Sequence, residues 1–215
     1  MERKEHIDKK WNFPFVEYSF GDMSKPMPLV VQLHGSGERG VAKEELRKVD
    51  VNGFSDYLMN SNHECLVVMP QCPPDSFWAA KVETILSFIG QLTEEYNVDK
   101  DRIYLTGLSM GGYGTWYTAM AKPDMFAAIA PVCGGGMAWN AGVLSMPIWV
   151  FHGAEDDVVS VIQSDEMVAK LKEFNSNVRY TRLDGVGHNV WEQAYTKELF
   201  EWLLSNNLRN MLRRR

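Results

Sequence analysis

The chain reads as an α/β protein, with a mostly parallel sheet covered by helices on both faces. Two observations predict this: apolar runs of strand length recur along the chain, and helical periodicity fills the stretches between them. The first strand falls at residues 29–33, followed by strands at 65–69, 102–106, 127–133, 147–151 and 178–183. Most are continuously apolar, as parallel strands buried on both faces require. Helical spacing covers residues 44–59, 80–96, 110–121, 161–174 and 191–204. Asp101 and Asp184 mark turns that bound strands, and Pro123 stops the third helix. Residues 15–20 are expected to add an antiparallel edge strand.

At 215 residues, 45% hydrophobic and 23% charged, the chain can bury one large core and is not disordered. Nothing resembling a linker, repeat or charge block divides it, so residues 1–215 are expected to form a single domain. The net charge of −6 argues against a polyanion partner such as nucleic acid. Arg209, Arg213, Arg214 and Arg215 form a basic tail, read as cations near a helix end. The first ten residues are charged and lack the apolar core of a signal peptide, and no apolar run reaches membrane-spanning length. The three cysteines, Cys65, Cys72 and Cys133, are too scattered for a disulfide framework. Together these features point to a cytoplasmic protein without a membrane partner; oligomeric state leaves no trace in the sequence.

Gly107-Leu108-Ser109-Met110-Gly111 lies between the strand at 102–106 and the helix at 110–121. A Gly-x-Ser-x-Gly at such a junction is a nucleophile elbow, where a tight turn pushes the serine Oγ out above the sheet. A serine hydroxyl needs a base, and after this elbow the order is Ser, then acid, then His. Of the five histidines, only His188 lies C-terminal to a candidate acid. It sits in the glycine-bearing loop Asp184-Gly-Val-Gly-His188. The acid is expected after the strand at 147–151, in Glu155-Asp156-Asp157. Asp156 is assigned, with Asp157 as its rival. Two backbone N–H groups are expected to form the oxyanion hole. One belongs to Met110, and the other to Ser36, or else Gly37, in the glycine-rich loop His34-Gly-Ser-Gly-Glu-Arg-Gly40. No Gly-Lys-Ser/Thr follows that loop and no dinucleotide fingerprint is present, so no nucleotide cofactor is implied. His34 and His152 are both expected to end strands near the site, but no His-x-x-x-His or paired-cysteine spacing supports a metal. His34 is read instead as ordering the oxyanion loop.

These segments, with Met69-Pro-Gln-Cys-Pro73, Ala130-Pro-Val-Cys-Gly-Gly135, His152-Gly-Ala-Glu-Asp156 and Gly187-His188, resemble the α/β-hydrolase superfamily. Within it the likeness is to the phospholipase/carboxylesterase, dienelactone hydrolase and predicted-peptidase esterase group, over about residues 28–204. The resemblance implies a Ser109–Asp156–His188 triad, hydrolysis of carboxylic esters and no cofactor or metal. Asp157 stands where the group often carries proline or a small residue. Dienelactone hydrolases proper have cysteine at the elbow, so Ser109 argues against that activity.

Lipases of this fold often insert a helical lid after the strand matching 127–133. Here only residues 134–146 reach the next strand, too few for a cap, so an open cleft and a small soluble ester are expected. Trp78, Trp139 and Trp191 each fall near a strand end, where an aromatic could line the substrate pocket. Peptidase or thioesterase action would use the same triad. A non-catalytic binding protein of the same fold would be expected to have lost one of its members.

Overall fold

A computed structural model describes residues 1–41, 43–50, 54, 63–175 and 177–209. Its centre is an eight-stranded sheet in the order β1-β2-β4-β3-β5-β6-β7-β8. The strands are β1 (Glu2–His6), β2 (Phe15–Phe20), β3 (Met27–Leu33), β4 (Cys65–Pro70), β5 (Val98–Leu108), β6 (Ala128–Val132), β7 (Ile148–Gly153) and β8 (Val178–Leu183). From β4 through β8 every pairing is parallel. β2 pairs antiparallel with both β4 and β1. The antiparallel strand expected at 15–20 is therefore real but lies one place inside the edge. The edge itself is β1, whose Glu-Arg-Lys-Glu-His side chains are mostly exposed. Charged side chains on an outermost strand discourage pairing with another chain.

Among the described residues six helices accompany the sheet: α1 (Lys43–Leu46), α2 (Val82–Glu95), α3 (Met110–Ala121), α4 (Ile162–Leu171), α5 (Trp191–Ala194) and α6 (Lys197–Ser205). The helix expected at 44–59 begins with α1 and a 3-10 turn, Arg47–Asp50; nearly all of the rest lies outside the described residues, as does most of the basic tail. The helix expected at 191–204 is two helices. Thr196 is extended (φ −116°, ψ 168°) and its side chain caps α6 by accepting from the Leu199 N–H. That local N-cap overrides the apolar periodicity running through it.

Alternation along the buried strands divides the core into two layers. Leu29, Val31 and Leu33 of β3 join the layer that includes Ile85, Phe88, Trp116 and Met167 from α2, α3 and α4. Val30 faces the other, with Leu199, Phe200 and Leu203 of α6. Helices thus cover both faces, so the carboxyl edge of the sheet is where side chains can meet solvent. The β6–β7 connection carries one 3-10 segment, Ala138–Val143, and no cap domain is present among the described residues. No helix among them is long and apolar enough to cross a membrane.

Candidate active site

Ser109 follows β5 and caps α3 with φ 55° and ψ −114°. A positive φ is unusual for a residue with a Cβ and persists only where the surroundings hold it. Here its N–H donates to Val132 O at 2.8 Å and its carbonyl accepts from Tyr113 N at 3.1 Å. The flanking glycines are required by contact. A Cβ on Gly107 would lie 2.3 Å from Gly111 O, and one on Gly111 would lie 1.9 Å from Leu33 O. Both obstacles are backbone atoms of the core, which cannot step aside. Gly111→Ala is therefore expected to cost about 3 kcal/mol of stability or to abolish folding. Urea denaturation of the purified variant measures it, and a midpoint unchanged from wild type would contradict this packing.

The acid loop after β7 separates the three adjacent carboxylates. Glu155 and Asp157 are exposed, whereas Asp156 is buried. Asp156 Oδ1 accepts from the N–H groups of Val158 (2.9 Å) and Val159 (2.8 Å). Its Oδ2 accepts from His188 Nδ1 at 2.7 Å. Burial pushes the Asp156 pKa up, but the His188 contact and the two backbone donors outweigh it, leaving it below the usual value of 3.8. Asp156 is thus held as a carboxylate on the imidazole. Asp157 makes no such contact.

His188 lies half-buried in the loop between β8 and α5. With Nδ1 engaged by Asp156, its Nε2 is the nitrogen left to exchange a proton. Cys133, at the end of β6, ties this loop to the strand beside Ser109: it follows Val132 directly, and its thiol donates to His188 O at 3.6 Å. Cys133 is itself at positive φ, 47°. Burial pushes its thiol pKa up to about 12, so it stays protonated and does not compete as a nucleophile. The sulfur, an Asp156 oxygen and a His188 nitrogen lie within 4.8 Å of one another, the described group whose donors approach a metal-ligand spacing. His34 and His152 share no such group. Their strands, β3 and β7, are separated by β5 and β6.

The glycine-rich loop approaches the serine from the other side. A Cβ on Gly35 would sit 3.8 Å from Ser109 Cβ. Ser36 opens a 3-10 turn, Ser36–Glu38, and Met110 opens α3. Both positions carry first-turn N–H groups that have no intrahelical acceptor. Several side chains brace the loop. His34 Nε2 accepts from Cys72 N at 2.9 Å and its Nδ1 lies 2.6 Å from Gly35 O, which fixes the Nδ1–H tautomer. Burial lowers its pKa to about 4, keeping it neutral. The Gln71 amide donates to Glu38 O and Glu45 O, both at 2.8 Å, and Arg39 Nε donates to Ser36 O at 2.9 Å.

Trp78 departs from expectation. It is fully buried, its indole N–H donates to His34 O at 2.9 Å, and its ring meets the His34 ring edge-on. It supports the glycine-rich loop from the core and offers no surface to a ligand. Trp139, 79% exposed, and Trp191, half-buried at the start of α5, do reach solvent. Sequence reasoning missed the bracing roles of Gln71 and Trp78. Both lie in the segment that follows β4, Gln71 directly after the strand and Trp78 at the start of a 3-10 turn.

This topology, with a serine lifted on a strained strand-to-helix turn at the sheet's carboxyl edge, defines the protein as an α/β-hydrolase. Residues 74–199 match the phospholipase/carboxylesterase family, and the chain belongs to it. A bifunctional acetylxylan esterase/xylanase of Neocallimastix patriciarum is 32% identical over 162 residues, covering 73% of this chain and 23% of that protein. Poly(3-hydroxyalkanoate) depolymerase C of Paucimonas lemoignei is 31% identical over 123 residues, covering 50% of this chain and 28% of the relative. The matches thus take in about a quarter of the length of these two relatives. The crystal structure of a thermostable esterase aligns at a TM-score of 0.81 and 35% identity, over 96% of this chain and 63% of that one.

Proposed function

We propose that the protein hydrolyses small, soluble carboxylic esters through an acyl-enzyme on Ser109, with His188 as general base and acid and Asp156 as the residue that orients it. The observation that carries this is the 2.7 Å bond from His188 Nδ1 to a buried carboxylate already holding two backbone N–H groups. That pairing fixes the imidazole tautomer whose Nε2 can accept a proton. Ser109 Oγ attacks the ester carbonyl as His188 takes its proton. The N–H groups of Ser36 and Met110 receive the developing oxyanion. The imidazolium then protonates the departing alcohol, and water repeats the sequence on the acyl-serine to release the acid. No cofactor, metal or second macromolecule enters the cycle.

The short β6–β7 connection favours an open cleft, with Trp139 and Trp191 as the aromatics available to an acyl or alcohol group. We place the enzyme in the cytoplasm, with residues 1–215 forming a single domain, in keeping with its three unpaired, buried cysteines. A fluorophosphonate probe tests the assignment. Mass spectrometry of the labelled protein is expected to find one adduct, on the peptide bearing Ser109, with parallel loss of short-chain nitrophenyl ester hydrolysis. Labelling at another residue, or activity that survives complete labelling, would sink it.

A further inference from the structure

His152 has no part in that cycle, yet it is the second imidazole on the same carboxylate. It stands at the carboxyl end of β7 with its side chain fully buried. Its Nε2 lies 2.9 Å from Val159 O and 3.2 Å from Asp156 Oδ2. Its Nδ1 lies 2.7 Å from Ser164 Oγ on α4, and that hydroxyl also reaches Gly134 O at 2.9 Å.

Counting hydrogens assigns the tautomer. A carbonyl and a carboxylate only accept, so Nε2 must carry a proton to satisfy either. Burial lowers the ring's pKa, against the opposing pull of Val159 O and Asp156, which favours a neutral ring. On a neutral ring Nδ1 is then an acceptor, and it shares the single proton of the Ser164 hydroxyl with Gly134 O. The titratable groups around His152 are Asp156 on its own loop and His188 from the β8–α5 loop, with the protonated Cys133 thiol at the end of β6 adjoining that pair. Asp156 Oδ2 thus accepts from His188 Nδ1 and also lies 3.2 Å from His152 Nε2, whose proton goes chiefly to Val159 O.

We propose that His152 is a positioning residue, whose Nε2–H fixes the Asp156 carboxylate in the orientation that His188 requires. Without that donor, Oδ2 loses one of the contacts that hold it, and the carboxylate turns more freely about the two backbone contacts on Oδ1. This rests on the triad proposed above. It also explains why the acid loop is anchored to α4: the chain Asp156–His152–Ser164–Gly134 links it to the segment that follows Cys133.

Two near-isosteres separate positioning from mere packing. In His152→Gln the amide nitrogen falls where Nε2 stands, whereas in His152→Asn it falls where Nδ1 stands. His152→Asn is expected to lower kcat by roughly tenfold to a hundredfold with little change in KM, and His152→Gln to restore most of it. In an Asp156→Asn background, His152→Asn should cause no further fall, because its effect passes through the carboxylate. Equal losses in the Asn and Gln variants, or an undiminished loss in the Asp156→Asn background, overturn the proposal. If the Asn variant does not fold, the Gln variant decides alone: kcat within about threefold of wild type supports it, and a fall of about a hundredfold overturns it. Ser109→Ala is assayed alongside. Activity surviving there defeats the triad itself, whereas an inactive Ser109→Ala with indistinguishable Asn and Gln variants defeats only the role of His152.

Discussion

Ser109→Ala is expected to lower kcat for a short-chain nitrophenyl ester by about 10⁴-fold or more, while leaving the fold intact. The size follows from what the hydroxyl does. It is the atom that forms the covalent bond, so its loss forces water to attack directly, with only binding and the oxyanion donors left to help. The fold should tolerate the change because the elbow is held by backbone contacts: Ser109 N to Val132 O, Tyr113 N to Ser109 O, and the two glycines packed on Gly111 O and Leu33 O. None involves Oγ, and alanine keeps the Cβ already accommodated at φ 55°. Circular dichroism and the thermal midpoint of the variant should therefore match wild type. Turnover within about tenfold of wild type would show that the nucleophile lies elsewhere.

Much of the fold was legible because its signals are local. Parallel strands covered on both faces, such as 29–33 and 65–69, cannot be anything but continuously apolar. The helix at 110–121 was bounded by the elbow before it and Pro123 after it, and α3 spans those same residues. What escaped was decided by partners distant in the chain. β1 has no apolar face of its own and exists because β2 offers it a backbone edge. The break between α5 and α6 depends on whether Thr196 caps a new helix or continues an old one, which its hydroxyl settles only once Leu199 N–H is in reach. At the site, chain order singled out Ser109 and His188, but Trp78 looked like a pocket wall since its distance from a strand end says nothing about which way the ring turns. Its indole points inward because the His34 carbonyl needs a donor there. His152 was opaque for a similar reason: a histidine beside a strand end acquires meaning only from the carboxylate and hydroxyl that face it.

The choice between neighbouring carboxylates yields the second large effect. Asp156→Asn is expected to reduce kcat by about 10⁴-fold, whereas Asp157→Asn should leave it within about twofold of wild type. Sequence offered both as acids; burial and bonding divide them. Asp156 is enclosed and accepts from His188, Val158 and Val159, whereas the Asp157 side chain faces solvent. Asparagine at 156 fills the same space but presents no negative charge to the imidazolium that forms during turnover, and its NH₂ cannot accept the His188 Nδ1 proton. At about 1.36 kcal/mol per factor of ten, the expected loss is about 5.5 kcal/mol of transition-state stabilisation. A stability consequence accompanies it. The folded carboxylate titrates below its unfolded value of 3.8, so its ionisation adds to stability above that pH and the contribution is lost as pH falls through the folded pKa. The gap in unfolding free energy between wild type and Asp156→Asn should accordingly be widest near neutrality and close as acid protonates the carboxylate. Denaturation curves for both proteins from neutral pH down to about pH 3 measure that gap. Equal kinetic losses at positions 156 and 157, or a gap that widens in acid, would mean that the carboxylate serving His188 is not Asp156.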